Sequence, residues 1–174
     1  WLAQQQRGYA HPTIEPVPAG QHVLSFAQQR LWLLSRLQDA GTAYNIPRAL
    51  ALFGPLDRPA LTRAFERVVQ RHSSLRLSFP QRGDQAAVVL REPYSPLRFQ
   101  QIEDGCAEAR AAVVQGRVEA HARSEFDLDA GPLLLVDLLQ LEPAHHILLV
   151  NMHHIISDGW SIGVMMREVS LLYT

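Results

Sequence analysis

A chain of 174 residues can form one domain with a sizeable hydrophobic core, and its 47% hydrophobic and 19% charged residues are ordinary for a globular protein. Its 16 basic and 17 acidic side chains leave a formal charge of −1 without any basic run, which argues against nucleic-acid binding. A single cysteine, Cys106, excludes an internal disulfide, and no uninterrupted apolar run is long enough to span a bilayer.

Both ends of the sequence suggest a piece of a longer polypeptide. Residues 1–22 contain several prolines and begin with a polar stretch, which predicts a linker rather than a signal peptide. Residues 161–174 follow a helical pattern without a glycine or proline near the end to stop it. With no signal peptide, a cytoplasmic location is the expectation.

The first half of the chain predicts a helix, a strand and a second helix. Ser25 is a suitable N-cap for a helix that extends to about Gln38, and residues 46–53 form a short predicted strand. Asp57 is a suitable N-cap for the second helix, in which apolar residues recur at helical spacing as far as His72.

The second half mixes strands and helices, partly through hairpin-like links. The predicted elements are strands at 75–79 and 86–91 joined by a turn at 81–84, a helix at 108–124, strands at 133–141 and 147–153, and a helix at 162–172. This pattern predicts a sheet with helices packed against it.

Two histidine doublets, His145-His146 and His153-His154, lie in and around the last predicted strand. Side chains alternate along a strand, so each doublet places one histidine on each face and alternation does not distinguish the pairs. The first doublet follows a proline and an alanine and opens an apolar strand. Its neighbours predict two partly solvated histidines without a chemical role.

The second doublet stands where a strand turns sharply into a helix through Ser157-Asp158-Gly159. Such loops often carry site residues because rigid elements hold them on both sides. Imidazole suits proton transfer near neutral pH, and glycine lets a ligand approach the main chain. The residues alone leave two interpretations open: a functional loop, or a polar loop that only closes a strand.

Among functional interpretations, proton transfer by one histidine is favoured over metal binding or nucleophilic catalysis. Adjacent histidines in an extended chain point apart, and adding Asp158 still leaves the usual metal ligand set incomplete. Ser157 lacks the glycine context of a hydrolase nucleophile.

Three motifs in order resemble those of condensation domains of nonribosomal peptide synthetases. MHHIISDGWS (152–161) matches the family's HHxxxDG active-site motif, and SFAQQRLWLL (25–34) resembles its opening motif. RHSSLRLSF (71–79) resembles its second motif, with Leu77 where threonine is usual. Two further stretches common in these domains are GPLDRPAL (54–61) and FDLDAGPLL (126–134).

The resemblance implies a chloramphenicol-acetyltransferase-like α/β lobe, a two-layer sandwich whose mixed, mostly antiparallel sheet carries packed helices. Residues 23–174 would be the N-terminal subdomain, and the C-terminal subdomain that completes the tunnel would be absent. The implied partners are that missing lobe, an upstream donor and a downstream acceptor carrier-protein domain, and an adjacent adenylation domain. The carrier proteins bring substrates on phosphopantetheine arms, and no tightly bound cofactor, metal, nucleic acid or membrane is implied.

The resemblance assigns roles to the residues of the HHxxxDG motif. His154 would receive or orient the proton of the attacking amine and is the predicted catalytic residue, while His153 would be structural. Asp158 would fix the loop by pairing with an arginine, for which Arg76 is the first candidate and Arg71 the second.

Residues beside these are given supporting roles. Gly159 would make room for the thioester, with its N–H towards the oxyanion. Ser161 would cap the last helix or assist there, and Trp160 with Ser161 fits condensation better than epimerization domains. Gln28 and Arg30 of the opening motif would be internal tethers.

Several related activities remain alternatives. They are a coenzyme A-dependent acyltransferase of the same fold, an epimerization domain, and a non-catalytic docking or recruiting module. Within condensation domains, SFAQQRLW and YNIP (44–47) resemble the class that joins two L-residues. The lobe alone, lacking half the tunnel, is expected to be inactive.

Overall fold

The computed structural model describes residues 22–37, 41–102 and 106–174, and every structural statement below refers to these ranges. The predicted linker at 1–22 lies outside them except for its last residue. Within the described ranges the chain forms helices α1 (Phe26–Leu37), α2 (Arg58–Arg71), α3 (Ala107–Ala122) and α4 (Gly159–Tyr173). Its strands are β1 (Asn45–Phe53), β2 (Leu77–Ser78), β3 (Gln81–Arg82), β4 (Gln85–Ala86), β5 (Val89–Leu90), β6 (Leu97–Gln101), β7 (Leu134–Glu142) and β8 (His145–His153).

Four of these strands form the main sheet, in the order β1-β8-β7-β6. β8 is antiparallel to both β1 and β7, whereas β6 runs parallel to β7. The β6–β7 connection contains α3, as a parallel pair requires a crossover. The predicted α/β fold with a mixed, mostly antiparallel sheet is therefore confirmed.

Most of the core lies on the sheet face that α2 and α4 cover. The core residues of the two helices, chiefly Phe65, Val68, Met165 and Val169, pack with strand residues such as Leu138, Leu148 and Val150. On the opposite face Val118 of α3 packs against a smaller cluster that contains Leu139 and Leu149. Because neighbours along a strand face opposite ways, α3 lies on the far side of the sheet from α2 and α4.

Local sequence signals explain where the helices begin. The Ser25 hydroxyl oxygen accepts from the Gln28 main-chain N–H, and the Gln28 side chain accepts in return from the Ser25 N–H, which is a capping box. Asp57 caps α2 by accepting from the Ala60 N–H. Both predicted helix starts are confirmed.

Two segments differ from the prediction. Residues Ser73–Arg76 form a short 3-10 turn, and only the two-residue β2 follows it as strand. Strand β6 was not predicted, because five residues with alternating polar side chains give only a weak periodic signal.

The prediction of two partly solvated histidines in the first doublet holds for His145, which is partly exposed, and is wrong for His146. His146 is buried on the same strand face as Leu148, while His145 stacks on Phe53 with ring centroids 4.7 Å apart. In the sheet His145 and His146 pair with Phe53 and Leu52 of β1, a remote pairing that the local sequence did not show. No helix in the described ranges is long and apolar enough to cross a membrane.

Candidate active site

A tight turn follows β8 and leads directly into α4; we call residues 154–158 the histidine loop. The Ile156 N–H donates to the His153 carbonyl at 3.1 Å, which closes the turn. The His154 N–H donates to the Tyr44 carbonyl at 2.8 Å, just before β1. One bond thus fixes the loop to the end of β8, and the other fixes it to the residue before β1.

The His154 imidazole is exposed and held in one orientation by its own loop. Its Nδ1 lies 2.7 Å from the Ser157 carbonyl oxygen. A carbonyl can only accept a hydrogen bond, so Nδ1 carries the proton and donates it to that bond. The lone pair of the neutral ring is therefore on Nε2, the nitrogen suited to receive a proton from a substrate.

His153 has the opposite environment, with 5% of its surface exposed. Its Nδ1 accepts from the Ile155 N–H at 3.1 Å, and its ring is near those of Tyr44 and Phe126, with centroids 6.2 and 6.1 Å away. Burial first, and the neighbouring His154 second, lower the pKa of His153 to about 4. His153 is therefore a buried, neutral imidazole whose Nδ1 lone pair is used by the main chain.

Asp158 is the N-cap of α4. Its Oδ1 accepts from the Ser161 N–H at 2.8 Å and from the Ser161 hydroxyl at 2.7 Å. These bonds, the hydroxyl one foremost, hold the pKa of Asp158 below its usual value. Ser161 therefore belongs to the helix cap, the first of its two predicted roles.

The predicted ion pair between Asp158 and an arginine is not formed. Arg76 donates instead to the Arg91 carbonyl at 2.9 Å, and Arg71 lies 3.7 Å from Glu168. The physical reason is local: the first turn of α4 presents unpaired N–H groups three residues from Asp158, which satisfy the carboxylate without a distant partner.

Gly159 and Trp160 open α4 on the solvent side. A Cβ placed on Gly159 would meet nothing within 4 Å, so the fold itself does not require glycine there. The Trp160 side chain is 81% exposed. Beside it is a cavity of about 180 Å³, lined from α4, the loop and the second motif by Trp160, Ser161, Met165, Ser157, Ile156 and His72. His154 is not among the residues that line it.

The two earlier motifs contact the loop or one another. Gln28 donates from Nε2 to the Ile155 carbonyl at 3.2 Å, so its predicted role as a tether is confirmed. The buried Trp32 of the opening motif donates from Nε1 to the Phe79 carbonyl of the second motif at 2.9 Å. Arg30, also a predicted tether, is exposed.

The sequence interpretation missed the contribution of Tyr44. It acts through a main-chain carbonyl, and every residue has one, so no side-chain signal could have identified it. Within the described ranges, no group of three histidine, cysteine, aspartate or glutamate side chains could hold a metal ion.

Comparison with known proteins finds relatives among peptide synthetases. The chain is 39% identical over 174 residues to chondramide synthase of Chondromyces crocatus and 41% identical over 175 residues to a linear gramicidin synthase of Brevibacillus parabrevis. Each match covers 99% of this chain but only 4% and 2% of the relative. The chain thus spans a small fraction of the length of these synthetases.

Solved structures show the same fold. The starter condensation domain of rhizomide synthetase matches with a TM-score of 0.78 and 26% identity, over 87% of this chain and 37% of that one. The X-domain in complex with OxyB from teicoplanin biosynthesis matches with a TM-score of 0.80 and 27% identity, over 93% and 34%. Condensation domains are acyltransferase-type domains that form amide bonds in synthetases. The condensation domain model matches residues 19–174, and the chain belongs to this family.

Proposed function

We propose that residues 23–174 are the N-terminal lobe of a condensation domain that joins two carrier-bound aminoacyl or peptidyl thioesters through a peptide bond. The observation that supports this most is the fixed tautomer of His154. Its Nδ1–H is engaged by the Ser157 carbonyl, which leaves the Nε2 lone pair on an exposed ring.

In this reaction the acceptor's α-amine attacks the donor's thioester carbonyl. The new C–N bond forms, the C–S bond breaks, and the donor's phosphopantetheine leaves as a thiol. His154 Nε2 takes or orients the amine proton, which is passed on to the leaving sulfur. Such general-base assistance supplies about 10²–10⁴-fold, and the alignment of two tethered substrates supplies more.

Gly159 supports this function by leaving space beside the main chain. Since a Cβ there would point into open space, the thioester carbonyl is able to approach the start of α4. The first N–H groups of a helix are unpaired within the helix and carry partial positive charge, which suits a developing oxyanion.

The partners and setting follow from the proposed reaction. Donor and acceptor carrier-protein domains deliver phosphopantetheine-bound substrates, the C-terminal lobe completes the tunnel, and an adenylation domain acts alongside in the cytoplasm. The chain itself binds no cofactor tightly. The stretches SFAQQRLW and YNIP support the class that joins L-residues.

The test compares His154→Gln with wild type in a polypeptide that carries the complete domain, supplied with two loaded carrier proteins. We expect peptide formation to fall by about 10²–10⁴-fold. His145→Gln is the matched control, because it removes an imidazole from the other doublet and should leave the rate unchanged. Wild-type rates in His154→Gln would exclude His154 as the proton acceptor.

A second candidate is acyl transfer from a diffusible thioester. It is favoured by one observation: a starter condensation domain with a similar fold has a structure with C8-CoA and Leu-SNAC bound. Turnover of free acyl-coenzyme A, faster than of the carrier-bound donor, would support this candidate over the first.

A third candidate, recruitment of another protein, is favoured by the similarity to the X-domain found in complex with OxyB. A recruiting module needs no proton acceptor. Loss of activity in His154→Gln with unchanged partner binding would therefore argue against it.

A further inference from the structure

The side chain of Gln28 uses both ends of its amide at once. Its Oε1 accepts from the Ser25 N–H at 3.0 Å, which completes the capping box of α1. Its Nε2 donates to the Ile155 carbonyl at 3.2 Å, in the histidine loop. Because one contact needs an acceptor and the other a donor, the orientation of the amide is determined and only a side chain with both fits.

The peptide group that Gln28 contacts is adjacent to His154. The Ile155 N–H donates to His153 Nδ1, so Gln28 satisfies the remaining polar atom of that residue's main chain. On its other side, His154 is held by the Tyr44 carbonyl. Main-chain carbonyl oxygens of residues 154–158 accept from one side chain outside the loop within the described ranges, and that side chain is Gln28.

We propose that Gln28 is a positioning residue for His154. By fixing the Ile155 carbonyl, its amide sets the direction of the loop and hence the alignment of His154 Nδ1–H with the Ser157 carbonyl. That alignment determines where the Nε2 lone pair points. The inference rests on the proposed function only for its effect on rate, since the effect on loop geometry stands without it.

Two substitutions separate the cap from the tether. Gln28→Glu keeps an oxygen for the Ser25 N–H but turns a second carboxylate oxygen towards the Ile155 carbonyl, where two acceptors repel. Ser25→Ala removes the hydroxyl of the capping box and leaves both bonds of the Gln28 side chain intact. Gln29→Glu is the control for charge, because this exposed neighbour undergoes the same chemical change.

In a polypeptide with the complete domain, we expect Gln28→Glu to lower kcat by about ten- to a hundredfold, as small misplacements of catalytic groups do. Its KM should match that of Gln29→Glu, while its thermal midpoint should fall because the Ile155 carbonyl loses its donor. Ser25→Ala should keep kcat even if its midpoint falls. The proposal would be overturned if Gln28→Glu kept the kcat of Gln29→Glu, or if its kcat fell only at temperatures where the variant unfolds.

A second measurement does not depend on turnover. The ¹⁵N shifts of the His154 ring report which nitrogen carries the proton, and the Nδ1–H form should predominate in wild type and in Ser25→Ala. Gln28→Glu should mix the two tautomers, whereas an unchanged pattern would refute the positioning role. If the tautomer changes but His154→Gln is fully active, the proposed function fails and the tether stands.

Discussion

At the scale of single residues, two adjacent imidazoles are given different chemistry by their surroundings. His153 ends β8 with its ring buried near two aromatic rings, and its lone pair is used by the Ile155 N–H. His154 follows on the exposed side, and its proton is used by the Ser157 carbonyl. One ring therefore has no free lone pair, while the other presents one to solvent.

The burial of His153 predicts a loss of stability in mild acid. Its pKa is about 4 in the folded chain and about 6.5 when unfolded, so between these pH values the unfolded state binds more protons. The free energy of unfolding should fall by about 3 kcal/mol from pH 7 to pH 4 through this group alone.

Denaturant unfolding as a function of pH checks this prediction. His153→Asn keeps an acceptor near the Ile155 N–H but does not titrate. From pH 7 to pH 4 its free energy of unfolding should therefore fall by about 3 kcal/mol less than that of wild type. An equal slope in both proteins would contradict the assigned burial effect.

Gly159 predicts a separation of stability from activity. Gly159→Ala should change the free energy of unfolding by less than about 0.5 kcal/mol, because the added Cβ meets no atom. Peptide formation should fall by about ten- to a hundredfold, because the methyl group occupies space proposed for the thioester.

Gly163→Ala in the same helix is the control. Its Cβ also meets nothing within 4 Å, and alanine in a helix interior is favoured over glycine by about 0.5–1 kcal/mol. It should raise the unfolding midpoint and keep the rate. Equal rates of peptide formation in the two variants would show that the reaction does not need free space at Gly159.

At the scale of secondary-structure elements, helix α1 links all three motifs. Gln28 reaches the histidine loop near its first turn, and Trp32 reaches the end of the second motif one turn later. Since side chains four apart share a helix face, one face of α1 carries both contacts. The opening motif is thus hydrogen-bonded to both of the other motifs.

Trp32→Phe should destabilise the fold by about 1–3 kcal/mol, the cost of leaving the buried Phe79 carbonyl without a donor. Trp160→Phe, at an 81% exposed position, should leave stability unchanged and is the matched control. Equilibrium denaturation measures both. A loss of similar size in the two variants would show that the indole bond contributes nothing specific.

The sequence predicted these elements well where a signal is local. The helix caps at Ser25 and Asp57 follow from side chains within three residues. The bond from Ser161 to Asp158 is equally local, but the sequence interpretation favoured a distant arginine as the partner of Asp158. The weakly periodic β6, the burial of His146 and the Tyr44 carbonyl depend on contacts between remote segments. No pattern along the chain encodes those contacts.

At the scale of the whole molecule, the described part of the chain exposes groups that its proposed reaction needs to enclose. Trp160 is 81% exposed, and His154 is exposed as well. An open site leaves charges screened by water, so oxyanion stabilisation is weak.

We therefore expect the 174-residue chain alone to give no peptide product above background with two loaded carrier proteins. The same residues within a polypeptide that carries the second lobe should be active. Product formation by the isolated chain at a comparable rate would contradict the need for a completed tunnel.

The bond between Gln28 and the Ile155 carbonyl joins residues 127 positions apart in sequence. During synthesis α1 and Tyr44 leave the ribosome long before the histidine loop, and contacts over such distances form late because a long loop must close first. The β7–β8 hairpin needs only its short turn and is able to form earlier. With Gln28 as the proposed positioning residue, His154 acquires the Nδ1–H tautomer only when α1 has met the histidine loop, so a half-folded chain carries the motif without its proposed chemistry.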